Sequence, residues 1–282
     1  LLYIAISKLE KELRALVDEN KGWRKNAVSF TNRYIEEGLR DRALTRDLDW
    51  GIDVPKEGYE EKSIYIWAEN VLGYLSASKV AAERKGTSFA ELWGKDAKHY
   101  YVHGKDNIPF HTIILPALLL ANGDGWHLPD QIVSSEYLTL EGKKISTSKN
   151  YAIWIKDLIG KYEPDSIRYF FLANGPEKKD ADFSWREYVN SHNGELLGAY
   201  GNFINRSLSF IHKYWNGIVP TGTPNPELTH QIEELFATTG ALIEKAAFKD
   251  ALSGIFDFIR CANKYFDTEQ PWITRDTDEA AC

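Results

Sequence analysis

The segment QIVSSEYLTLEGKKISTSKN, residues 131–150, joins a β-rich run to a loop of lysines and hydroxyl side chains. Lysine ammonium groups are compact cations, Ser and Thr hydroxyls donate hydrogen bonds, and Gly142 lets the backbone bend towards an anion. The segment therefore predicts a loop that holds polyphosphate. Taken alone, it is more typical of a solvated basic turn, because short charge runs usually face water.

Two more β-rich runs precede this segment, and helical patterns separate the three runs. Alternation of strands and helices predicts a parallel sheet in an α/β fold, where ligands bind beyond the carboxyl ends of the strands. The predicted strands are residues 63–67, 99–103 and 131–138, and the predicted helices between them are residues 70–85 and 110–121. The residues that follow each strand are the candidate ligand contacts: residues 67–74, residues 104–111 and the lysine loop.

Helical patterns dominate the rest of the chain. Before the strands they cover residues 3–19 and 23–39, followed by a polar connecting segment, residues 41–58. After Tyr151 a helix begins at Pro164, and three long patterns interrupted by a Pro- and Gly-rich stretch predict an antiparallel helical bundle. These patterns cover residues 191–214, 227–245 and 249–266, and the interruption covers residues 217–226.

The composition excludes several classes of protein. A net charge of −7, from 34 Lys and Arg against 41 Asp and Glu, argues against indiscriminate binding to nucleic acid but allows local recognition of RNA. The longest apolar run, residues 113–121, is too short to span a membrane and contains Pro116. The two cysteines, Cys261 and Cys282, form no CxxC pair, so we expect no zinc site and no disulfide, as suits a cytoplasmic protein.

Five segments in order together resemble class I aminoacyl-tRNA synthetases, and specifically the methionyl-tRNA synthetase family. The loop Lys144-Ile-Ser-Thr-Ser148 resembles the Lys-Met-Ser-Lys-Ser signature of the class. The other four are YIWAENVLGY at residues 65–74, GKDNIPFH at 104–111, DFSW at 182–185 and EQPW at 269–272. One such motif is weak evidence, whereas five in sequence indicate the family across nearly the whole chain.

The resemblance implies a two-step reaction: methionine and ATP, bound with Mg²⁺, form methionyl-adenylate, and the aminoacyl group then passes to tRNA(Met). It places Lys144 on the β- and γ-phosphates and adds Ser146, Thr147 and Ser148 to the ATP contacts. Thr147 stands where the family has its second signature lysine, so Lys149 or Lys143 is expected to replace that charge. Gly104 and Asp106 resemble nucleotide and amino-acid contacts, although a strand-end turn with a capping Asp explains them equally well.

Trp67, Tyr74 and His111 match positions that line the family's methionine pocket, and aromatic walls suit a polarisable thioether. Leu115 replaces a residue that is often aromatic in the family, which could change discrimination between near-isosteric side chains. Without the resemblance, Trp67 and Tyr74 would be interpreted as core residues.

Asn202, Arg206 and Trp272 match the family's anticodon contacts. Asn202 and Arg206 are four residues apart and share one helix face, and an indole can stack on an unpaired base. Without the resemblance, a surface Asn/Arg pair and a buried Trp are the simpler interpretation.

The resemblance also predicts the domain organisation and leaves two other functions open. Residues 1–58 and 59–150 would belong to the second half of a Rossmann-like catalytic domain, 151–190 to a connecting segment and 191–282 to the anticodon-binding domain. The family's His-Ile-Gly-His signature is not found in the sequence, so we expect the first half of the catalytic domain, and its zinc-bearing insertion, to precede Leu1. A catalytically silent tRNA-binding fragment, or a synthetase for another apolar amino acid, is the alternative.

Overall fold

A computed structural model describes residues 1–278, without the side chain of Ala68, and divides the chain into two compact units. The first unit, Leu1–Glu136, is mixed α/β. Its strands are β1 (Tyr3–Ile4), β2 (Arg42–Ala43), β3 (Thr45–Arg46), β4 (Ser63–Ile64), β5 (Tyr100–Gly104) and β6 (Gln131–Ser135). Its α-helices are α1 (Glu10–Glu19), α2 (Lys25–Glu36), α3 (Ile66–Glu69), α4 (Gly73–Lys85), α5 (Phe89–Trp93) and α6 (Leu115–Asn122).

Three 3₁₀ turns and one π-helical segment complete the first unit. The π-helical segment leads directly into α6, so that residues 110–122 form one continuous helix with a wide first part. The 3₁₀ turns are Ile6–Leu9, Asn70–Leu72 and Lys105–Asn107, and the π-helical segment is Phe110–Ile114.

The core of the first unit includes residues of α1, α2, β5 and β6, with α1 packed on α2 and α2 packed on β6. Buried side chains recur every four residues on each helix, as expected for amphipathic helices: Leu13 and Val17 on α1, and Ala27, Thr31 and Ile35 on α2. The strands β5 and β6 pair in parallel from Tyr100 opposite Gln131 to Gly104 opposite Ser135. Their carboxyl ends therefore lie side by side.

The second unit begins at Tyr137 and is mostly helical. Its strands β7 (Leu138–Leu140), β8 (Lys143–Lys144) and β9 (Ala181–Phe183) form one sheet in the order β8, β7, β9. Its α-helices are α7 (Ile155–Ile159), α8 (Pro164–Asn174), α9 (Trp185–Ser191), α10 (Asn202–Trp215), α11 (Pro226–Glu244), α12 (Phe248–Glu269) and α13 (Pro271–Thr277), with a π-helical segment at His192–Gly201.

Local sequence explains how the helices of the second unit begin. Asn225 accepts backbone N–H bonds from the first turn of α11, and Pro226 occupies its first position. Ser184 accepts from the backbone N–H of Glu187 at the start of α9, a Ser-x-x-Glu pattern. The buried rings of Phe170, Phe183 and Tyr188 form a core beneath the small sheet.

The structure corrects several sequence predictions in the first unit. The predicted helix 3–19 becomes α-helical only at Glu10, because Tyr3 and Ile4 form β1, which pairs antiparallel with β2, and Ile6–Leu9 form a 3₁₀ turn. The segment 41–58, predicted to be only a connection, supplies both β2 and β3. The run 63–67 forms a two-residue strand that pairs antiparallel with β3, so it does not belong to the parallel sheet.

The predicted strand 131–138 is divided at Glu136. Its carboxylate accepts hydrogen bonds from Lys105 Nζ at 2.6 Å and from Asn26 Nδ2 at 2.8 Å, whereas the next residue, Tyr137, donates its N–H to Asp180 at 2.9 Å. The lysine loop consequently follows a strand of a separate sheet and does not follow the parallel strand directly. The helices predicted from residue 164 onwards are present, with ends shifted by a few residues.

Candidate functional sites in the two units

In the first unit, Tyr74 and His111 meet through a hydrogen bond. Tyr74 lies in the first turn of α4, and its hydroxyl is 2.8 Å from His111 Nε2. His111 Nδ1 is 2.9 Å from the carbonyl oxygen of Asn107. Because a carbonyl only accepts, Nδ1 carries the proton, and Nε2 accepts from the Tyr74 hydroxyl. The pair thus consists of a neutral imidazole and a donating phenol.

Two further rings surround this pair. The His103 ring stacks on the His111 ring with centroids 4.2 Å apart, and the Tyr101 ring lies 5.5 Å from the His111 ring. We call Tyr74, Tyr101, His103 and His111 the aromatic–histidine cluster. His111 is only 5% exposed, and burial lowers its pKa to about 4, with proximity to His103 adding to the shift. Burial also lowers the pKa of His103. The cluster is therefore uncharged at neutral pH.

Trp67 lies beside Phe110, whereas Leu115, four residues after His111, is buried. Trp67 stacks on Phe110, the residue before His111, with ring centroids 4.7 Å apart, and it lines an apolar cavity of about 220 Å³. Leu115 is 0% exposed and belongs to the hydrophobic core. The structure thus brings three of the predicted pocket residues, Trp67, Tyr74 and His111, to one helix end, and it places Leu115 in the core beneath.

Gly104 and Asp106 lie at the carboxyl end of β5. Gly104 is exposed, its φ is −76°, and apart from its two chain neighbours no described residue has an atom within 4 Å of the position that a Cβ would occupy. Neither backbone strain nor crowding by described residues requires glycine there. Asp106 lies exposed in the next 3₁₀ turn.

In the second unit, β7 and β8 form a hairpin that continues into the predicted phosphate loop. We call residues 138–151 the lysine hairpin. Ser146 and Tyr151 exchange both backbone hydrogen bonds at 2.9 Å, and the N–H of Asn150 donates to the carbonyl of Thr147 at 3.0 Å. The Ser146 and Ser148 hydroxyls are 3.2 Å apart, and the Tyr151 hydroxyl donates to the Leu140 carbonyl. Residues 147–150 therefore form an exposed four-residue tip.

The three lysines of the hairpin differ in their surroundings. Lys143 and Lys144 are neighbours on β8, so their side chains leave opposite faces of the sheet. The Lys143 ammonium lies 5.9 Å from the centre of the Tyr151 ring. Lys144 and Lys149 are exposed and form no ion pair with any residue in 1–278.

The predicted RNA contacts also lie in the second unit. Asn202 is exposed at the start of α10, and Arg206 follows one turn later. The Arg206 guanidinium pairs with Asp267 and lies over the Phe266 ring, 4.7 Å from its centre. The Trp272 ring, at the start of α13, is 6.1 Å from the same Phe266 ring and 41% exposed. Phe266 thus links Arg206 and Trp272.

Sequence reasoning missed His103, Tyr101 and Phe266 as neighbours of the candidate residues. No short-range pattern identifies them, because each meets its partner only through strand pairing or helix packing.

Among residues 1–278, no group of three or more His, Cys, Asp or Glu side chains could hold a metal ion. Within the same part of the chain, the helices lack the combined length and apolar character needed to cross a bilayer. Cys261 is exposed and forms no disulfide with a described residue, and Cys282 lies outside the described residues.

Comparisons with known proteins agree with the family predicted from the motifs. The family model described as tRNA synthetases class I (M) matches residues 1–208. Methionine–tRNA ligase 1 of Bacillus cereus is 54% identical over 283 aligned positions that cover 99% of this chain and 52% of the relative. A methionine–tRNA ligase of Bacillus anthracis is 53% identical with the same coverage. The chain thus spans about half the length of these relatives.

Solved structures show the same relationship. The methionyl-tRNA synthetase of Mycobacterium tuberculosis bound by methionyl-adenylate is 26% identical, with a TM-score of 0.86, and the match covers 99% of this chain and 55% of that one. The apo form of the same protein has a TM-score of 0.84 at 25% identity and the same coverage. The family prediction is therefore confirmed: the chain belongs to the methionyl-tRNA synthetase family of class I tRNA synthetases.

Proposed function

We propose that the protein containing this chain is a methionine–tRNA ligase. In the first step a carboxylate oxygen of methionine attacks the α-phosphorus of ATP, and the bond to the leaving pyrophosphate breaks, which forms methionyl-adenylate. In the second step a ribose hydroxyl of the terminal adenosine of tRNA(Met) attacks the aminoacyl carbonyl and releases AMP. Mg²⁺ enters with ATP as part of that substrate. The observation that carries this proposal is the match of 99% of the chain to methionine–tRNA ligases at 54% identity.

We propose that the two units correspond to parts of such an enzyme. The parallel pair β5–β6 with its helices supports assignment of the first unit to the second half of a Rossmann-like catalytic domain. The long helices α10 to α12 and the short α13 support assignment of residues 191–282 to the anticodon-binding domain, of which residues 279–282 lie outside the described part.

The aromatic–histidine cluster and Trp67 are proposed to bind the methionine side chain. A thioether has no proton to donate and is a weak acceptor, so its recognition depends on polarisable apolar contacts. Neutral rings supply such contacts without a charge that would retain water, and burial keeps His111 neutral. The Tyr74 hydroxyl already donates to His111, which fixes the orientation of the phenol ring. Leu115 would act on this site from beneath, by holding the helix that carries His111.

The lysine hairpin is proposed to bind ATP. Lys144 would contact the β- and γ-phosphates, where neutralising the charge of the leaving pyrophosphate lowers the barrier. Ser146, Thr147 and Ser148 at the tip would donate hydrogen bonds to phosphate oxygens. Lys149 is the better replacement for the charge missing at Thr147, because Lys143 leaves the other face of the sheet and lies against Tyr151.

Two smaller assignments complete the proposal. The open space beside Gly104 would admit ligand atoms close to the backbone, and the Asp106 carboxylate would accept hydrogen bonds from ribose hydroxyls or from the ammonium group of methionine. In the helical part, Asn202, Arg206 and Trp272 would contact the anticodon. Phe266 would support both Arg206 and Trp272.

ATP–pyrophosphate exchange by the protein at its natural length tests the activity. Exchange should require methionine and should not be supported by leucine or valine at the same concentration. Lys144→Ala should lower exchange by about 100-fold or more, as expected for loss of a group that stabilises developing charge. Lys143→Ala is the matched control and should change exchange by less than about threefold. Exchange that depends on leucine or valine would show that the substrate is not methionine. Absence of exchange with methionine, leucine and valine would favour a tRNA-binding protein without catalysis.

A further inference from the structure

The turn of the lysine hairpin adopts an uncommon backbone conformation. Glu141 and Gly142 join β7 to β8, with φ values of 48° and 72°. Such a two-residue turn matches the twist of a hairpin, but a positive φ is unfavourable for a residue with a Cβ. Glu141 therefore adopts this conformation only while surrounding contacts stabilise it.

Those contacts come from one short segment, residues 182–185. The Asp182 Oδ1 atom accepts a hydrogen bond from the Gly142 N–H at 2.8 Å and a second from the Thr139 hydroxyl. The backbone carbonyl of Phe183 accepts from the Glu141 N–H at 2.9 Å. In return, the Trp185 N–H donates to Glu141 Oε1 at 2.9 Å. Both residues of the turn are thus hydrogen-bonded to this segment.

The strand register connects Asp182 to Lys144. Thr139, in the central strand β7, pairs with Lys144 on one side and with Asp182 on the other. Directly paired residues share a face of a sheet, so the three side chains form one row on one face. Because adjacent strands are about 4.8 Å apart, the Asp182 and Lys144 backbones are separated by about 10 Å. Asp182 therefore holds the strand beside Lys144 without neutralising its ammonium group.

We propose that Asp182 is a positioning residue for Lys144 in the adenylation step. Its carboxylate accepts two hydrogen bonds that fix the turn and the central strand, and β8 then presents Lys144 in one direction. Its negative charge is not required for this role. The inference rests on the proposed function, because positioning matters only if Lys144 contacts ATP in the transition state.

Exchange kinetics with variants of the natural-length protein test this role. Asp182→Ala removes the oxygen that accepts both hydrogen bonds and should lower kcat by about tenfold to a hundredfold, since misplacing a catalytic contact by about 1 Å can have that effect. The KM for methionine should stay within about twofold, because the proposed methionine contacts lie in the other unit. Asp182→Asn keeps an oxygen acceptor and should remain within about threefold of the unmodified protein. Asp165→Ala, at an exposed aspartate on α8, is the surface control.

A double-mutant cycle separates positioning from a general loss of structure. If Asp182 acts through Lys144, Asp182→Ala should cause no further loss of exchange in a Lys144→Ala background. Limited trypsin digestion gives a readout independent of activity: cleavage after Lys144 and Lys149 should be several-fold faster in Asp182→Ala than in the unmodified protein or in Asp182→Asn. If Asp182→Ala does not fold, Thr139→Val, which removes one of the two donors, takes its place in both measurements.

The outcomes distinguish this inference from the proposed function. Methionine-dependent exchange by the unmodified protein, combined with multiplicative losses in the double mutant, would overturn the positioning role alone. An Asp182→Asn variant as impaired as Asp182→Ala would show that the charge acts directly, which also contradicts it. Absence of methionine-dependent exchange in the unmodified protein would overturn the proposed function and this inference together.

Discussion

The aromatic–histidine cluster and the lysine hairpin are stabilised in different ways. In the cluster, His111 is 5% exposed, and rings pack against it from His103 and Tyr101. In the hairpin, Lys144, Thr147 and Lys149 are exposed, and backbone hydrogen bonds stabilise the loop. Buried rings suit recognition of an apolar side chain, whereas exposed cations can meet a hydrated phosphate chain at little cost of desolvation.

This difference predicts that changes near the cluster alter stability, while changes in the hairpin alter activity with little effect on stability. The expected changes in free energy decrease from substitutions in the buried core to substitutions at the exposed tip of the hairpin.

Leu115→Ala should produce the largest loss of stability. The side chain is fully buried, so truncation leaves a cavity and should reduce the free energy of unfolding by about 2–5 kcal/mol. Denaturant titration measures this loss. Leu115→Ile, which conserves volume, is the control and should cost less than about 1.5 kcal/mol. A near-neutral Leu115→Ala variant with a changed KM for methionine would instead place Leu115 on the wall of the binding pocket.

Acidification should destabilise the cluster. In the unfolded chain the pKa of His111 is about 6.5, whereas in the folded protein burial lowers the pKa of His111 to about 4. The stabilising effect of the neutral ring is therefore complete above pH 6.5 and is lost progressively as the pH falls towards 4. The loss approaches roughly 3 kcal/mol, because each pKa unit corresponds to about 1.4 kcal/mol.

Unfolding titrations at several pH values, compared between the unmodified protein and His111→Gln, check this sign and size. The difference between the two proteins isolates His111, since His103 and the other titrating groups remain in both. An identical pH dependence of the two proteins would show that His111 does not carry the effect.

Trp272→Ala should have an intermediate effect, on RNA binding. The ring is 41% exposed and supported by Phe266, so it can stack on an unpaired base, an interaction of about 1–3 kcal/mol. Affinity for tRNA with a CAU anticodon should fall accordingly in filter-binding titrations at fixed salt. Trp50→Ala, at a tryptophan that is 89% exposed in the other unit, is the matched control. Equal losses in both variants, or no preference for the CAU anticodon, would contradict the assignment of Trp272.

Lys149→Ala should have the smallest effect on stability. The side chain is exposed and forms no ion pair within residues 1–278, so the free energy of unfolding should change by less than about 0.5 kcal/mol. Exchange activity should nevertheless fall, and the KM for ATP should rise, if Lys149 replaces the charge missing at Thr147. Normal exchange by Lys149→Ala, measured beside Lys143→Ala, would remove Lys149 from the proposed site.

Much of the fold was predictable where a pattern is long and periodic. The apolar spacing of α1 and α2, the long helical patterns that become α10, α11 and α12, and the β-rich runs at β5 and β6 all indicate the observed elements. The run 63–67 was misassigned because a short apolar run does not reveal its pairing partner, which is β3. The break at Glu136 was also missed, since the hydrogen bonds from Lys105 and Asn26 that end the strand come from residues distant in the chain.

The sequence by itself determined the family, through five short motifs that occur in the family's order, and it predicted the candidate site residues. Only the tertiary structure decided how those residues are held: the proton position on His111, the pairing of Tyr74 with it, and the hydrogen bonds of Asp182 to the turn at Gly142. Motifs are local in the chain, whereas burial, tautomer and strand register depend on contacts between segments that the chain brings together only on folding.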